Sequence, residues 1–254
     1  MKTIILAGGY GTRLAEYTRL IPKPMVEIGE YPILWHIMNW YSKFGYNEFI
    51  IALGYKASLI KEYFFNYFAL NNDFEVDLKT GEVIFINKKS INWKVKLIDT
   101  GIDTMTGGRI KRLQKYIDNQ TFMMTYGDGL SNINIKELIK FHKDHGKIAT
   151  LSAVHPTARF GELKIDENFV VNSFKEKPQL DQGRINGGFF VLEPTIFEYI
   201  ENDSTIFEKE PIERLVKNRQ LSAFIHNGFW QSMDTIREHQ VLENLWNTGK
   251  APWK

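Results

Sequence analysis

The stretch richest in potential chemistry is Leu6-Ala-Gly-Gly-Tyr-Gly-Thr-Arg13, entered from the apolar run Thr3 to Ala7. Gly8, Gly9 and Gly11 permit positive φ and let backbone N–H groups approach an anion closely. Thr12 adds a hydroxyl donor, and Arg13 adds a charged fork. A strand feeding such a loop suits a phosphate cradle. The spacing is neither the G-x-G-x-x-G of dinucleotide folds nor a Walker loop, since no G-K-[ST] follows. A plain glycine turn at a strand end is the alternative. Pro22-Lys23-Pro24 then stiffens the backbone on both sides of one lysine. Lys23 is either a fixed point charge for a polyphosphate or a solvated loop lysine.

Asp128 stands in Tyr126-Gly-Asp-Gly129, just past the strand expected over Thr121 to Tyr126. The carboxyl end of a parallel strand is where open α/β sheets bind ligands. An ordinary tight turn would also use an aspartate there. Asp234 precedes the last helix, where a helix N-cap is the alternative to a ligand role. Arg109-Ile-Lys111-Arg112, with Lys115 a turn later, could face two or three phosphates or simply be a solvated helix face. His142 and His145 share a helix face, which suits packing better than a metal site lacking further ligands. The aromatic stripe Tyr63, Phe64, Tyr67, Phe68 suits core or a subunit interface.

Gly8-Gly-Tyr-Gly-Thr-Arg-Leu14 followed by Pro22-Lys-Pro24 resembles the signature of sugar-1-phosphate nucleotidyltransferases. The likeness runs on through Met25-Val-Glu-Ile-Gly29, Pro32-Ile-Leu-Trp-His-Ile-Met38, Asp99-Thr-Gly101, Asn186-Gly-Gly-Phe-Phe190 and Lys250-Ala-Pro-Trp-Lys254. Met105-Thr-Gly-Gly-Arg109 is similar to the cytidylyl branch in particular, while Tyr31 stands where relatives commonly carry lysine. The resemblance implies a transfer from CTP to glucose 1-phosphate that yields CDP-glucose and pyrophosphate, serving deoxysugar synthesis for bacterial surface polysaccharide. It assigns catalysis to Arg13, Lys23 and Lys177. Nucleotide binding falls to Leu6, Ala7, Gly8, Gly9, Gly11, Thr12, Arg13, Lys23, Thr104, Arg109 and Gly127. Sugar phosphate falls to Glu176, Lys177, Asn186 and Gly187, and Mg²⁺ to Asp128 and Asp234. It also implies a homo-oligomer, with a hexamer as the named candidate. The alternatives are the same chemistry with UTP or dTTP, and a sugar-nucleotide-binding relative without turnover. A nicotinamide dehydrogenase is disfavoured by the glycine spacing.

These residues need elements to position them, and the chain has material for them. Its 254 residues are 43% hydrophobic and 24% charged, an ordinary globular composition. There is no cysteine, which removes disulfides, thiolate zinc sites and cysteine nucleophiles. A net charge of 32 − 30 = +2 gives no basis for nucleic-acid binding. The opening apolar stretch is too short for a signal peptide, and no run approaches a membrane span. The expected setting is therefore the cytoplasm.

Apolar runs at Glu48 to Leu53, Lys94 to Asp99, Ala149 to Val154, Gly188 to Leu192 and Leu221 to His226 read as strands. Pro32 to Phe44, Ser58 to Leu70, Gly108 to Ile117, Ile135 to His145, Glu210 to Lys217 and Thr235 to Trp246 read as helices. Phe74 to Leu78 with Glu82 to Ile86, and Glu162 to Ile165 with Val170 to Lys175, read as hairpins. The expectation is an α/β fold: a Rossmann-like nucleotidyltransferase architecture with a mostly parallel central sheet, helices on both faces and hairpin insertions. Residues 1–254 form one domain in this reading, with a nucleotide half over 1–130 and a sugar-phosphate half over 131–254.

Overall fold

The computed structural model describes residues 1–86, 90–156, 162–165, 167, 170–175 and 183–254. Its centre is an eight-stranded sheet. The strands are β1 (Thr3–Leu6), β2 (Glu48–Leu53), β3 (Lys94–Asp99), β4 (Phe122–Tyr126), β5 (Ala149–Val154), β6 (Ile185–Asn186), β7 (Phe190–Leu192) and β8 (Leu221–His226). Across the sheet the order is β3-β2-β1-β4-β7-β5-β8, and β6 pairs with the far end of the β5 edge that β7 also uses. All pairs are parallel except those made by β6 and β7. The mostly parallel sheet is thus as expected, with one antiparallel strand region at its middle.

Period-two alternation sorts the strand side chains into two cores. Ile5, Ile51, Met123 and Val191 face one cluster, with Ile33, Ile37 and Tyr41 of α2 (Ile33–Lys43), Leu138 of α5 (Ile135–His145) and Leu242 of α7 (Ile236–Asn247). Their neighbours Ile4, Ile50, Met124 and Phe190 face the other, with Ile110 of α4 (Thr106–Arg112) and Leu215 of α6 (Glu210–Lys217). β1 is therefore buried on both sides, which is why it is a continuous apolar run. α1 (Ala15–Thr18) is a single turn, and α3 (Ala57–Leu70) buries only Ile60.

Local chemistry explains several ends. The Asn134 side chain accepts from the N–H groups of Lys136 and Glu137, and Gly146 closes α5 at φ 63°. The helix expected over Gly108 to Ile117 begins earlier, at Thr106, and breaks at Arg112 into a tighter turn at Gln114–Tyr116. The hairpin in the seventies and eighties is shorter than expected, Phe74–Val76 against Val83–Phe85. The second hairpin pairs Glu162–Ile165 with Val171–Lys175.

One pairing had no sequence signal. Gly129–Ser131 runs antiparallel to Trp230–Ser232, with Gly129 opposite Ser232, and Met233 donates its N–H to the Asp128 carbonyl at 2.9 Å. At the end of the chain Trp253 is fully buried, stacked on Phe229 with ring centroids 5.3 Å apart. No helix among the described residues is long and apolar enough to cross a membrane.

Candidate active site

β1 and β4 lie side by side and end together, so the glycine loop and the Tyr126-Gly-Asp-Gly129 segment emerge next to each other. Gly127 donates its N–H to the Leu6 carbonyl at 3.0 Å. A Cβ on Gly127 would come within 2.9 Å of that oxygen, so the crossing needs glycine. Gly11 takes φ 65° and turns the chain into a short helical turn at Thr12–Leu14. Between these loops lies a cavity of about 500 Å³. Leu6, Ala7, Gly8, Gly9, Gly11, Thr12, Arg13, Lys23, Thr104, Arg109, Gly127 and Asp128 all line it.

Lys23 is buried at its edge, and its ammonium lies 2.6 Å from Asp128 Oδ2 and 2.6 Å from Asp234 Oδ1. Arg13 reaches the same Asp234 oxygen at 3.0 Å from the solvent side. Burial alone would pull the Lys23 ammonium down. The facing carboxylates outweigh it, and its pKa ends above the usual value. Burial likewise pushes Asp234 up, but Lys23 and Arg13 hold it below the usual carboxylate range. The solvated-loop reading of Lys23 is therefore replaced by a charge held in the site.

The helix-cap reading of Asp234 is also replaced. The N-cap of α7 is Thr235, in a capping box with Glu238, while the Asp234 carboxylate turns to Lys23 and Arg13. The short ribbon described above makes this convergence possible, because it fixes Asp128 opposite Met233, one residue from Asp234. Among the described residues no three His, Cys, Asp or Glu gather as a metal set. Two carboxylates suit a magnesium ion whose other ligands are phosphate oxygens and water.

Arg109 differs from the simple nucleotide contact implied by the resemblance. Its guanidinium is buried and donates to the carbonyls of Leu53, Gly8, Gly101 and Ile102 and to the Thr100 hydroxyl, at 2.7 to 3.1 Å. Burial lowers its pKa. It braces the glycine loop and forms cavity wall at the same time. The basic run around it divides: Arg112 pairs with Asp203, and Lys111 donates to the Phe197 carbonyl.

Asn186 and Gly187 lie outside the cavity wall, in the strand region between β5 and β7. The Asn186 side chain accepts from Gly188 N at 2.9 Å and donates to the Tyr126 hydroxyl at 3.4 Å. Gly187 packs against Val154 and Ser152, leaving no room for a Cβ. Glu176 and Lys177 lie outside the described residues.

Sequence reasoning passed over Tyr126, Thr106 and Glu208. The Tyr126 hydroxyl donates to Glu208 Oε1 at 2.7 Å, and Thr106 Oγ1 donates to Glu208 Oε2 at 2.6 Å. Both donors line the cavity. Tyr126 sat inside a motif already singled out, whereas Glu208 comes from 82 residues further on and had no local signal.

The family profile described as "Nucleotidyl transferase" matches residues 2–238. The chain is 52% identical over 255 aligned residues to a glucose-1-phosphate cytidylyltransferase of Salmonella typhi, covering 100% of this chain and 99% of that one. It is 45% identical, with the same coverage, to a probable glucose-1-phosphate cytidylyltransferase of Bacillus subtilis. Among solved structures, HddC from Yersinia pseudotuberculosis superposes with a TM-score of 0.70 at 29% identity, covering 96% of this chain and 99% of that one.

Proposed function

The chain belongs to the nucleotidyl transferase family, and on that premise we propose that it is a glucose-1-phosphate cytidylyltransferase, making CDP-glucose and pyrophosphate from CTP and glucose 1-phosphate. The observation that carries this reading is the meeting of Arg13, Lys23, Asp128 and Asp234 beside a glycine-rich cavity. The full-length likeness to the cytidylyltransferases supports the choice of substrates.

In the proposed reaction an oxygen of the sugar phosphate attacks the α-phosphorus of CTP. The new P–O bond forms as the α–β bridging bond breaks, and its electron pair leaves with pyrophosphate. The nucleophile is already an anion, so no general base is required. The barrier lies in bringing like charges together and stabilising the leaving group. Gly8, Gly9 and Gly11 offer backbone N–H groups to the triphosphate, and Arg13 and Lys23 offer cations. Lys177 and Glu176 are assigned to the sugar phosphate and sugar hydroxyls, and Asn186 and Gly187 are assigned to the sugar phosphate as well. Asp128 and Asp234 would hold Mg²⁺, which when bound supplies charge neutralisation at the phosphates. Acceptors of the β1 and Gly127 backbone suit the cytosine amino group, where uracil would present a carbonyl.

The experiment is pyrophosphate release with CTP, UTP, dTTP and GTP against glucose 1-phosphate. CTP should give the highest kcat/KM. A tenfold advantage for UTP or dTTP, about 1.4 kcal/mol, would move the base assignment. Absence of turnover with every nucleotide would favour a sugar-nucleotide-binding protein instead.

Self-association is part of the proposal. Phe65 on α3 is 89% exposed, and an apolar hollow of about 800 Å³ runs between α3 and β3, walled by Phe64, Phe68, Trp93 and Val95. Large exposed apolar surface favours an interface. Light scattering at micromolar concentration should report a multiple of the 29.6 kDa chain. The CTP requirement suits a cytoplasmic enzyme whose product enters deoxysugar synthesis.

A further inference from the structure

The lysine between the two aspartates is engaged by both of them. One ammonium serves both carboxylates at 2.6 Å, and Arg13 completes the cluster. Two cations and two anions leave it with no net charge. A neutral, internally paired cluster offers little attraction to a divalent ion. Such an ion would have to expel the ammonium from a place where only 9% of the lysine side chain is exposed.

Pro22 and Pro24 fix their own φ on both sides of Lys23, and Lys23–Met25 forms a short helical turn, so the backbone there is stiff. Rotation of the four-carbon stem is the ready way to move the ammonium. It needs another anion to receive it. The cavity that Lys23 lines is where the triphosphate is proposed to sit.

We propose that Lys23 is a placeholder cation: it closes the Asp128–Asp234 pair to divalent metal until a polyphosphate draws the ammonium away, so that metal and nucleotide bind as a coupled pair. This rests on the reading above that the two aspartates hold the metal. By linkage, nucleotide should tighten metal binding by the same factor as metal tightens nucleotide.

The test uses Mn²⁺ titrated into the nucleotide-free protein and followed by electron paramagnetic resonance of the free ion. Lys23→Met should bind one Mn²⁺ at least tenfold more tightly than wild type. Lys23→Arg, which keeps the charge, should stay at the wild-type level. Adding Asp128→Asn and Asp234→Asn to Lys23→Met should abolish the gained site. Thermal melts of each variant establish that it is folded. Equal Mn²⁺ affinity in wild type and Lys23→Met overturns the placeholder role. A parallel titration with CTP present separates the two readings. If Asp128→Asn and Asp234→Asn weaken Mn²⁺ binding there while Lys23→Met gains nothing without nucleotide, the metal site stands and the placeholder falls. If the asparagine variants bind Mn²⁺ with CTP as wild type does, both fall.

Discussion

Arg109 Nη2 donates to the Gly8 carbonyl at 3.0 Å, joining two residues 101 positions apart and tying α4 to the loop that follows β1. The contact is close enough to dictate the residue at position 8. A Cβ there would come within 2.3 Å of Arg109 Nη1. Gly8→Ala should therefore push the guanidinium out of its ring of carbonyls. Each hydrogen bond to a charged group contributes about 1.5–3 kcal/mol, and these act as one unit, so their losses do not add. The expected result is a lowered Tm together with a KM for CTP raised at least tenfold. Arg109→Lys should behave similarly, because a single ammonium cannot span the acceptors that a planar fork reaches. A Gly8→Ala enzyme with wild-type Tm and KM would show that the loop tolerates a displaced arginine.

Neighbouring residues at the start of α7 play different parts. Thr235 caps the helix, and Asp234 faces the charged cluster. Thr235→Ala should lower stability by about 1 kcal/mol while kcat/KM stays near wild type. Asp234→Asn should instead lose most of the activity, and it should lower Tm as well, because it removes one of the two carboxylates paired with the buried Lys23. Denaturant unfolding and steady-state kinetics on both variants check this. Activity lost in Thr235→Ala to the same degree as in Asp234→Asn would mean that helix position, rather than the carboxylate, governs turnover.

What was readable in the sequence was local. Continuous apolar runs identified β1 and β2, Gly146 identified the end of α5, and the glycine spacing pointed to the loop that lines the cavity. Contacts distant in sequence left no such trace. From spacing alone Arg109 looked like part of a basic run, because nothing nearby announced that five acceptors from three segments would surround it. Asp234 looked like a cap because its own helix is all the sequence displays. The ribbon that turns it toward Asp128 is three residues long on each side, too short to carry an alternating pattern. Glu208 lies next to the buried Phe207, and its two acceptor roles depend wholly on tertiary packing.

The paired histidines of α5 set a pH dependence. Lys147 donates its N–H to His145 Nδ1 at 2.9 Å, so neutral His145 carries its proton on Nε2 and donates to Thr150 Oγ1. The Thr150 hydroxyl can then donate to His142 Nδ1, and His142 Nε2 to Glu193. Protonating either ring places a donor against a donor or forces the chain of bonds to turn. Burial lowers the pKa of both histidines, and the positive charge of Lys147 adds to the effect at His145. Burial does the same at His36 and His226. Each group binds its proton more readily in the unfolded chain, whose ordinary value is 6.5. Stability is therefore full above that value and declines as pH falls through it toward the folded values. Tm should drop between about pH 7.5 and 5.5, and His142→Gln should make the decline shallower. A flat profile across that window would contradict the direction of all four shifts.

Glu208 accepts from Tyr126 and Thr106 with its two oxygens, and so joins the end of β4 to the start of α4 across the cavity. A carboxylate accepts both hydrogen bonds, whereas an amide could accept only one. Because Tyr126 donates to Glu208, its lone pairs are left to receive Asn186 Nδ2, which holds the side chain proposed above to serve the sugar phosphate. Burial first, then the Glu208 charge, pushes the Tyr126 phenol up, so it stays protonated and keeps donating. Tyr126→Phe retains the ring, which meets Phe190 edge-on, and removes only the hydroxyl. Glu208→Gln retains shape and removes the charge. Each should weaken glucose 1-phosphate binding more than CTP binding, with KM for the sugar phosphate raised about three- to tenfold, or 0.7 to 1.4 kcal/mol. If they act through the same bond, the double variant should be no worse than the poorer single one. Additive losses in that cycle, or equal changes in both KM values, would place Glu208 in general packing rather than in orienting the sugar side.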